Sequence, residues 1–321
     1  MSLEHKAPTN HNGHKDCTAE FLQNPYVKFL WISSCSLCFL MHIVTVCAGN
    51  LNYLSFKFIY MKRFVLLMLL ILFLFQSFRS KKVTETNRKD QWISLFNGKD
   101  LQHWIPKIAG YKAGENFGNT FRVSNGILST RYDSYDSFHN RFGALYYDKK
   151  FTNYRLKVEY RFVGDTVAGA PPWGFRDGGI QYDCQDPSTL KLDQPFPVCL
   201  EYNLLGGDGK NKRGTGEICA SGMYVEINGK RNTSYCTPPA IKKSFNGDEW
   251  VTAEIDVHNG EIIHYVNGEE VMRFNNPRYD TANAIAKNFI VNNNDKVNGG
   301  YISLQSNSHP MDFRKIEIME Y

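Results

Sequence analysis

From residue 91 onward, hydrophobic and polar residues alternate in short runs that are separated by turn residues. In YRLKVEYRF (154–162), every second side chain is apolar and charged side chains lie between them. The stretch TAEIDVH (252–258) alternates in the same way. Side chains of a strand point alternately to the two faces of its sheet, so each run predicts a strand with one buried face.

The same pattern recurs along the rest of the chain. Further strands are predicted at 120–123, 143–147, 179–183, 198–204, 222–227, 250–258, 261–266, 300–305 and 313–319. Two Asn-Gly pairs, at 228–229 and 267–268, predict tight hairpins. One short helix is expected at 281–287. Regular short strands with tight turns indicate an all-β domain, either an antiparallel sandwich or a barrel.

The first ninety residues have a different pattern. Residues 61–80 read MKRFVLLMLLILFLFQSFRS, in which two basic residues precede an apolar run and small residues follow it. This is typical of a secretory signal peptide that starts at Met61, and an uncleaved anchor is the alternative. Residues 1–60, with a second apolar stretch at 29–48, are interpreted as an upstream extension that arises from an early start codon, or else as part of a membrane hairpin. Residues 81–90 form a charged linker.

Export predicts a periplasmic or secreted protein that contacts a membrane only through an uncleaved signal segment. The net charge of +5 is modest, and the Lys and Arg residues are scattered. No basic stripe of the kind that nucleic-acid binding requires is present in the sequence. Aromatic residues make up 14% of the chain and glycine is frequent, with 25 residues, which also favours an all-β domain.

Four cysteines lie within 91–321, an even number for an oxidising compartment. Cys219 and Cys236 bracket a predicted hairpin, and we expect a disulfide between them. Cys184 and Cys199 could also pair. Strict alternation, however, places Cys184 on the core face and Cys199 on the polar face, which disfavours that bond unless a bulge intervenes.

Two of the predicted strands carry polar side chains on one face. In GGIQYDCQDP (178–187) and CLEYNLLGG (199–207), the positions opposite the apolar ones are polar. If both strands lie in one sheet, these side chains converge: Gln181, Asp183, Glu201 and Asn203. Neighbouring segments add Trp173, Arg176, Gln305 and His309. Sugars are bound by polar groups that contact their hydroxyls and by aromatic rings that contact their C–H faces.

Several longer stretches resemble the 3-keto-disaccharide hydrolase family. They are ISLFNGKDLQHW, GENFGNTFRVSNGIL, RFGALYY, YRLKVEYRFVG, FPVCLEYNLLGG and GYISLQSNSHPMDFRKIEI. The resemblance extends over residues 91–321. It implies a single concanavalin-like jelly-roll β-sandwich domain, and activity on glycosides whose C3 hydroxyl has been oxidised to a ketone.

The resemblance also implies roles for these residues. A C3 ketone acidifies the proton on C2, so a base can remove it and the C1 substituent can leave by elimination, with water adding afterwards. Glu201 is the expected base and Asp183 the second candidate, which could instead bind a divalent metal; no cofactor is otherwise indicated. Arg176 or such a metal would stabilise the enolate. His309 is the candidate acid, and the alternative is that it is only a turn residue, as is typical of a His before Pro at a strand end. The remaining residues, Gln181, Asn203, Gln305 and Trp173, would hold the sugar.

Two alternatives stay open from the sequence. The first is a non-catalytic carbohydrate-binding module on the same fold. The second is an ordinary retaining glycosidase, which needs two carboxylates flanking one bond. The laminarinase-type E-x-D-x-x-E run is absent, because Glu201 is followed by YNLLG, and this disfavours the second alternative.

Overall fold

The alternating runs form seventeen β-strands in the computed structural model, which describes residues 91–321. The strands are β1 Ile93–Ser94, β2 Trp104–Ile108, β3 Phe121–Ser124, β4 Ile127–Thr130, β5 Gly143–Phe151, β6 Tyr154–Phe162, β7 Asp177–Cys184, β8 Cys199–Leu205, β9 Glu217–Ser221, β10 Met223–Ile227, β11 Lys230–Asn232, β12 Cys236–Thr237, β13 Val251–His258, β14 Glu261–Val266, β15 Glu269–Tyr279, β16 Gly300–Ser306 and β17 Met311–Glu320. Short 3-10 turns lie at Phe117–Asn119, Pro172–Gly174, Pro187–Thr189 and Ala286–Phe289.

These strands form two antiparallel sheets. The ten-stranded sheet has the order β11-β10-β15-β14-β13-β6-β17-β4-β3, with β1 paired to β17. The seven-stranded sheet has the order β12-β9-β8-β7-β16-β5-β2. The fold is therefore the all-β jelly-roll sandwich that the sequence predicted, and each sheet contributes one apolar face to a common core.

The core contains the apolar half of each alternating strand. In β6, Leu156 and Val158 are fully buried, and Leu200 and Leu204 of β8 are buried from the opposite sheet. One histidine lies within this core, where the hydroxyl of Tyr182 contacts His264 Nε2 at 2.8 Å. Burial lowers the pKa of His264 to about 4, so this imidazole is neutral at pH 7.

Both predicted Asn-Gly hairpins are confirmed. Ile227 pairs with Lys230 and Val266 pairs with Glu269, which leaves two residues in each turn. Asn and Gly have positive φ in both turns, as a type I′ hairpin requires. The predicted helix at 281–287 was wrong: the segment forms turns and ends in the 3-10 turn Ala286–Phe289.

A β-bulge interrupts β7 at Asp183, which has a φ of 50°. On the neighbouring strand β16, Ser303 pairs with Gln181 and Tyr301 pairs with Cys184, so one extra residue is present in β7. The bulge reverses the alternation that the sequence predicted. Cys184 therefore lies on the outer face of the seven-stranded sheet, and the prediction that it points into the core was wrong.

Cys219 and Cys236 form the expected disulfide, with Cα atoms 4.0 Å apart. They lie opposite one another in β9 and β12, within the seven-stranded sheet. The hairpin between them, β10–β11, belongs to the other sheet. The disulfide therefore links the two points at which the chain leaves the seven-stranded sheet and returns to it. It does not link the two strands of the hairpin.

The predicted extension, signal peptide and linker of residues 1–90 lie outside the described residues. Among residues 91–321, no helix has the length and hydrophobicity needed to cross a membrane.

Candidate active site

The outer face of the seven-stranded sheet has a carboxyl group near its centre. Glu201 lies in β8 between Gln181 of β7 and Cys219 of β9. Gln181 Nε2 donates a hydrogen bond to Glu201 Oε2 at 3.1 Å, and Gln305 Nε2 of β16 donates to the same oxygen at 3.1 Å. Within residues 91–321, Glu201 Oε1 accepts no hydrogen bond. One carboxyl oxygen is thus fixed by two amides, and the other is left for a ligand.

The surroundings of Glu201 raise its pKa to about 8. The main cause is burial, since only 8% of the residue is exposed. The negative charges of Asp177 and Glu217 raise the pKa further, while the hydrogen bonds from Gln181 and Gln305 lower it. A carboxyl group with this pKa can gain or lose a proton near neutral pH, which suits a general acid or base.

A hydrogen-bond network fixes the orientation of both glutamines. Ser303 Oγ donates to Gln181 Oε1 at 2.9 Å, and Asn307 Nδ2 donates to Gln305 Oε1 at 2.6 Å. With each amide oxygen engaged as an acceptor, each amide NH₂ is directed to Glu201. Neighbouring strands therefore hold the Glu201 carboxyl group in one position, as catalysis requires.

Asp177, at the beginning of β7, extends this network. Its Oδ1 accepts from Asn307 Nδ2 at 3.1 Å, and its Oδ2 accepts from Arg213 Nη2 at 3.0 Å. Burial raises the pKa of Asp177 to about 6, although Asn307 and Arg213 act in the opposite direction. Arg213 also donates to the backbone carbonyls of Phe175 and Trp173, which ties the loop containing Trp173 to this side of the site.

Asn203 lies next to Glu201 on the same face, as predicted. Its Nδ2 donates to Glu217 Oε2 at 3.2 Å. Its Oδ1 is buried and has no hydrogen-bond partner in the described part of the chain. Burial raises the pKa of Glu217. The site thus combines three carboxyl groups with several amides, which is a suitable lining for a polyhydroxylated ligand.

Two exposed aromatic residues flank this face. Trp173 is 46% exposed and stacks on Phe142, with ring centroids 5.5 Å apart and planes inclined by 9°. Tyr235 is 58% exposed and directly precedes the disulfide-bonded Cys236. The disulfide joins this segment to Cys219, which pairs with Glu201 in the neighbouring strand. Exposed rings next to a polar floor are suited to sugar binding.

Asp183 does not join the other polar residues, because the bulge directs it to the opposite face. It lines a separate cavity of about 230 Å³ with Asn153, Asn259 and Lys296. Asp183 is 3% exposed, and its Oδ1 has no partner among residues 91–321. Burial raises the pKa of Asp183 to about 7. The prediction that it converges with Glu201 was wrong.

Arg176 and His309 are also displaced from the expected positions. Arg176 precedes β7 and lies against Gly206, and its Nη1 donates to the carbonyl of Gly207. His309 is 1% exposed and is enclosed edge-on by the rings of Phe162 and Phe175, at 5.4 and 5.3 Å. Burial and then Arg176 lower the pKa of His309 to about 4, so it is neutral at pH 7. This position does not suit a proton donor.

The described residues do not assemble a clear divalent-metal site. The one group of three candidate ligand residues found within 91–321 is Glu217, Cys219 and Cys236, and its two cysteines are bonded to each other. Sulfur atoms in a disulfide are not available as thiolate ligands. Asp183, the predicted metal ligand, belongs to no such group in this part of the chain.

Of the residues that line or flank this face, the sequence did not indicate Asp177, Arg213, Glu217, Asn307 and Tyr235. Asp177 and Asn307 flank predicted strands and continue their polar alternation, so extending the strands would have found them. Arg213 and Tyr235 come from loops, for which alternation gives no signal.

The domain matches one protein family and is similar to several solved structures. Residues 91–319 match the family of 3-keto-alpha-glucoside-1,2-lyase-like domains. A glycosyl hydrolase candidate from Parabacteroides distasonis ATCC 8503 aligns with 74% of this chain and 98% of its own, at 19% identity and a TM-score of 0.48. Bacillus licheniformis beta-glucanase aligns with 72% and 98%, at 12% identity and a TM-score of 0.41.

A protein of unknown function with a galectin-like fold, from Bacillus subtilis, aligns with 72% of this chain and 96% of its own, at 9% identity and a TM-score of 0.41. No curated protein sequence matches. The family match covers most of the chain and is sufficient for assignment. The protein belongs to the family of 3-keto-alpha-glucoside-1,2-lyase-like domains.

Proposed function

We propose that this domain cleaves glycosides whose C3 hydroxyl has been oxidised to a ketone, and that Glu201 is the base. The observation that carries the proposal is the Glu201 carboxyl group, with a pKa of about 8, held by two amides on a polar face with aromatic residues at its rim. An elimination next to a ketone needs one such base, poised near the working pH.

The reaction begins with removal of the C2 proton by Glu201. The electron pair of the C2–H bond moves to form the enolate, whose negative charge is spread to the C3 oxygen. The enolate then expels the C1 substituent, with formation of the C1–C2 double bond, and the leaving oxygen takes up a proton. Addition of water to the double bond completes a net hydrolysis. Glu201 Oε2 stays with Gln181 and Gln305 while Oε1 accepts the proton.

The enolate needs a positive or hydrogen-bonding group near the C3 oxygen. We propose Arg213 for this role in place of Arg176, since Arg213 contacts Asp177 on the outer face and Arg176 is turned to Gly207. Trp173 and Tyr235 would contact the C–H faces of the sugar. Asn203, whose Oδ1 is unpartnered within the described residues, would bind a hydroxyl after rotation of its amide.

The test uses the full-length protein with a 3-keto-glucoside that has a chromogenic leaving group, beside the unoxidised glucoside, with and without EDTA. We expect release from the keto substrate alone. Glu201→Gln should lower turnover roughly 10²–10⁴-fold, the usual contribution of a general base, and should keep substrate binding. Glu261→Gln is the matched control, because Glu261 is exposed on the other sheet. Full turnover by Glu201→Gln would refute the assigned base.

A carbohydrate-binding module is the second candidate, favoured by the exposure of Trp173 and Tyr235. A module would bind a sugar through these rings and the amide floor, and would release no product from either glucoside. Binding without release, unchanged by Glu201→Gln, would support this alternative over the enzyme.

In the enzyme assay, loss of product release on EDTA treatment, with recovery on adding a divalent metal, would show a metal requirement.

A further inference from the structure

Two free cysteines lie beside the candidate active site and have no part in the proposed reaction. Cys184 ends β7 and Cys199 begins β8, and both are buried. They form a small cluster on the outer face of the seven-stranded sheet with Ala144 and Tyr146 of β5. Buried free cysteines can serve simply as small apolar side chains, so their mutual arrangement decides whether they can do more.

The bulge at Asp183 brings the two cysteines together. Before it, Tyr182 pairs with Leu200, and beyond it the Gln185 N–H donates to the Val198 carbonyl at 2.9 Å. The extra residue in β7 sets Cys184 across from Cys199, with both side chains on the outer face. The two side chains belong to one buried cluster, and burial and then the Cys184 thiol raise the pKa of Cys199.

A disulfide in the same sheet provides a comparison. Cys219 and Cys236 also lie opposite one another on adjacent antiparallel strands, and they are bonded. Facing positions on neighbouring strands bring β-carbons into the range that a disulfide needs. The pair at the bulge has the same relation between its strands, which sequence alternation alone disfavoured.

We propose that Cys184 and Cys199 form a second cross-strand disulfide when the protein folds in the presence of a disulfide oxidant such as glutathione disulfide. One cysteine thiolate attacks glutathione disulfide, forming a mixed disulfide and releasing one glutathione thiolate. The second cysteine thiolate then attacks the mixed disulfide and displaces the other glutathione. The protein loses two hydrogens, and the oxidant is reduced to two molecules of glutathione.

The position of this bond connects it to the site. Ser303 Oγ lies 3.9 Å from Cys184 Sγ and donates to Gln181 Oε1, which in turn belongs to the amide that holds Glu201. A bond at Cys184 would therefore fix the strand ends next to the polar floor. Because both thiols are buried, we expect oxidation during folding, before the strands close over them. The proposal does not depend on the proposed function.

The experiment is a peptide map of the full-length protein. The protein is refolded with increasing glutathione disulfide until Cys219 and Cys236 are fully linked, which serves as the internal reference. Free thiols are then alkylated under denaturing conditions, and the unreduced protein is digested and analysed by mass spectrometry. We expect a Cys184–Cys199 cross-linked peptide that is two hydrogens lighter than its reduced halves. Alkylated Cys184 and Cys199 beside a complete Cys219–Cys236 bond would overturn the proposal.

A substitution tests the pairing independently. In Cys184→Ala, Cys199 should become fully alkylated while Cys219–Cys236 stays linked. The small size of alanine suits this buried position, so folding should be retained. Continued protection of Cys199 in this variant would show that it pairs elsewhere, and that result would also reject the assignment.

Discussion

Gly179 of β7 lies directly against the carboxyl group of Glu201. A β-carbon at Gly179 would fall 2.7 Å from Glu201 Cδ and 2.9 Å from Gln305 Oε1. No real β-carbon makes such contacts without displacing its neighbours. The position of the candidate base therefore depends on the absence of a side chain on the adjacent strand.

We predict that Gly179→Ala displaces Glu201 and lowers turnover of the keto substrate by at least about tenfold, since misplaced catalytic groups lose rate steeply. The matched control is Gly178→Ala, whose β-carbon would meet the Met311 side chain on the core face instead. This control should lose thermal stability while its turnover, measured well below the melting temperature, stays close to that of the wild type. Equal turnover in both variants would argue against the role of Gly179.

The rate should depend on the ionisation of Glu201. A base acts when deprotonated, so kcat/KM should rise with pH to a plateau with a midpoint near pH 8. Asp177→Asn removes a negative charge that raises the pKa of Glu201, so the midpoint of the pH–rate profile should move to lower pH in this variant. Gln181→Met removes a hydrogen-bond donor that lowers the pKa of Glu201, so the midpoint should move to higher pH in this variant. Midpoints that move in the opposite directions would show that another group controls the rate.

The two arginines near the site should differ in effect. Arg213→Met removes the guanidinium that contacts Asp177 on the outer face, and we expect kcat/KM for the keto substrate to fall at least about tenfold, as for loss of an electrostatic stabiliser. Arg176→Met removes a contact to the Gly207 carbonyl at the end of the sheet and should mainly lower the melting temperature. Steady-state kinetics with thermal unfolding separate the two cases, and a larger kinetic loss in Arg176→Met would restore the original assignment.

Asp183 should make stability depend on pH. Its folded-state pKa of about 7 lies above its ordinary value of 3.8, so the folded state binds the proton more tightly. The free energy of unfolding should therefore fall as the pH rises from about 4 to about 7, and stay low above that. Asp183→Asn keeps the shape, tolerates positive φ and carries no charge.

We expect Asp183→Asn to match the wild type at pH 4 and to exceed it at pH 8 by up to about 4 kcal/mol, the free-energy equivalent of the pKa difference. Denaturant unfolding at both pH values measures this. Lower stability of the variant at pH 8 would mean that the ionised carboxylate has a stabilising partner, and repeating the measurement with a divalent cation would identify a metal as that partner.

Alternation predicted most of the sandwich because burial of one sheet face imposes a period of two on the sequence. The strands Tyr154–Phe162 and Glu261–Val266 have the predicted bounds, and Glu201, Gln181 and Asn203 share one face as expected. The alternation of polar and apolar residues gave no signal for the bulge at Asp183. Asp adopts a positive φ more readily than most residues, so the left-handed conformation did not require a glycine that would have marked the position. Because of the bulge, the side chains of Asp183 and Cys184 lie on the sheet faces opposite to those predicted.

The positions of loop residues in the site were also not predictable from the sequence. The sequence places Arg176 close to Trp173, but in the fold the Arg176 side chain lies against Gly206 and contacts the Gly207 carbonyl. Arg213, thirty-six residues beyond Asp177, contacts the Asp177 carboxyl group instead. A loop path depends on the tertiary structure that it crosses, so local sequence does not specify which of two arginines reaches a sheet face.

The two edge strands of the seven-stranded sheet are poorly suited to pair with a strand of another molecule. On one side, β12 spans only Cys236–Thr237 and is bonded to its neighbour through the Cys219–Cys236 disulfide. On the other side, β2 contains Pro106, which has no N–H to donate. Short, proline-containing edges resist the addition of strands from another molecule. The seven-stranded sheet thus presents a broad face to ligands while its two edges are protected against intermolecular strand pairing and aggregation.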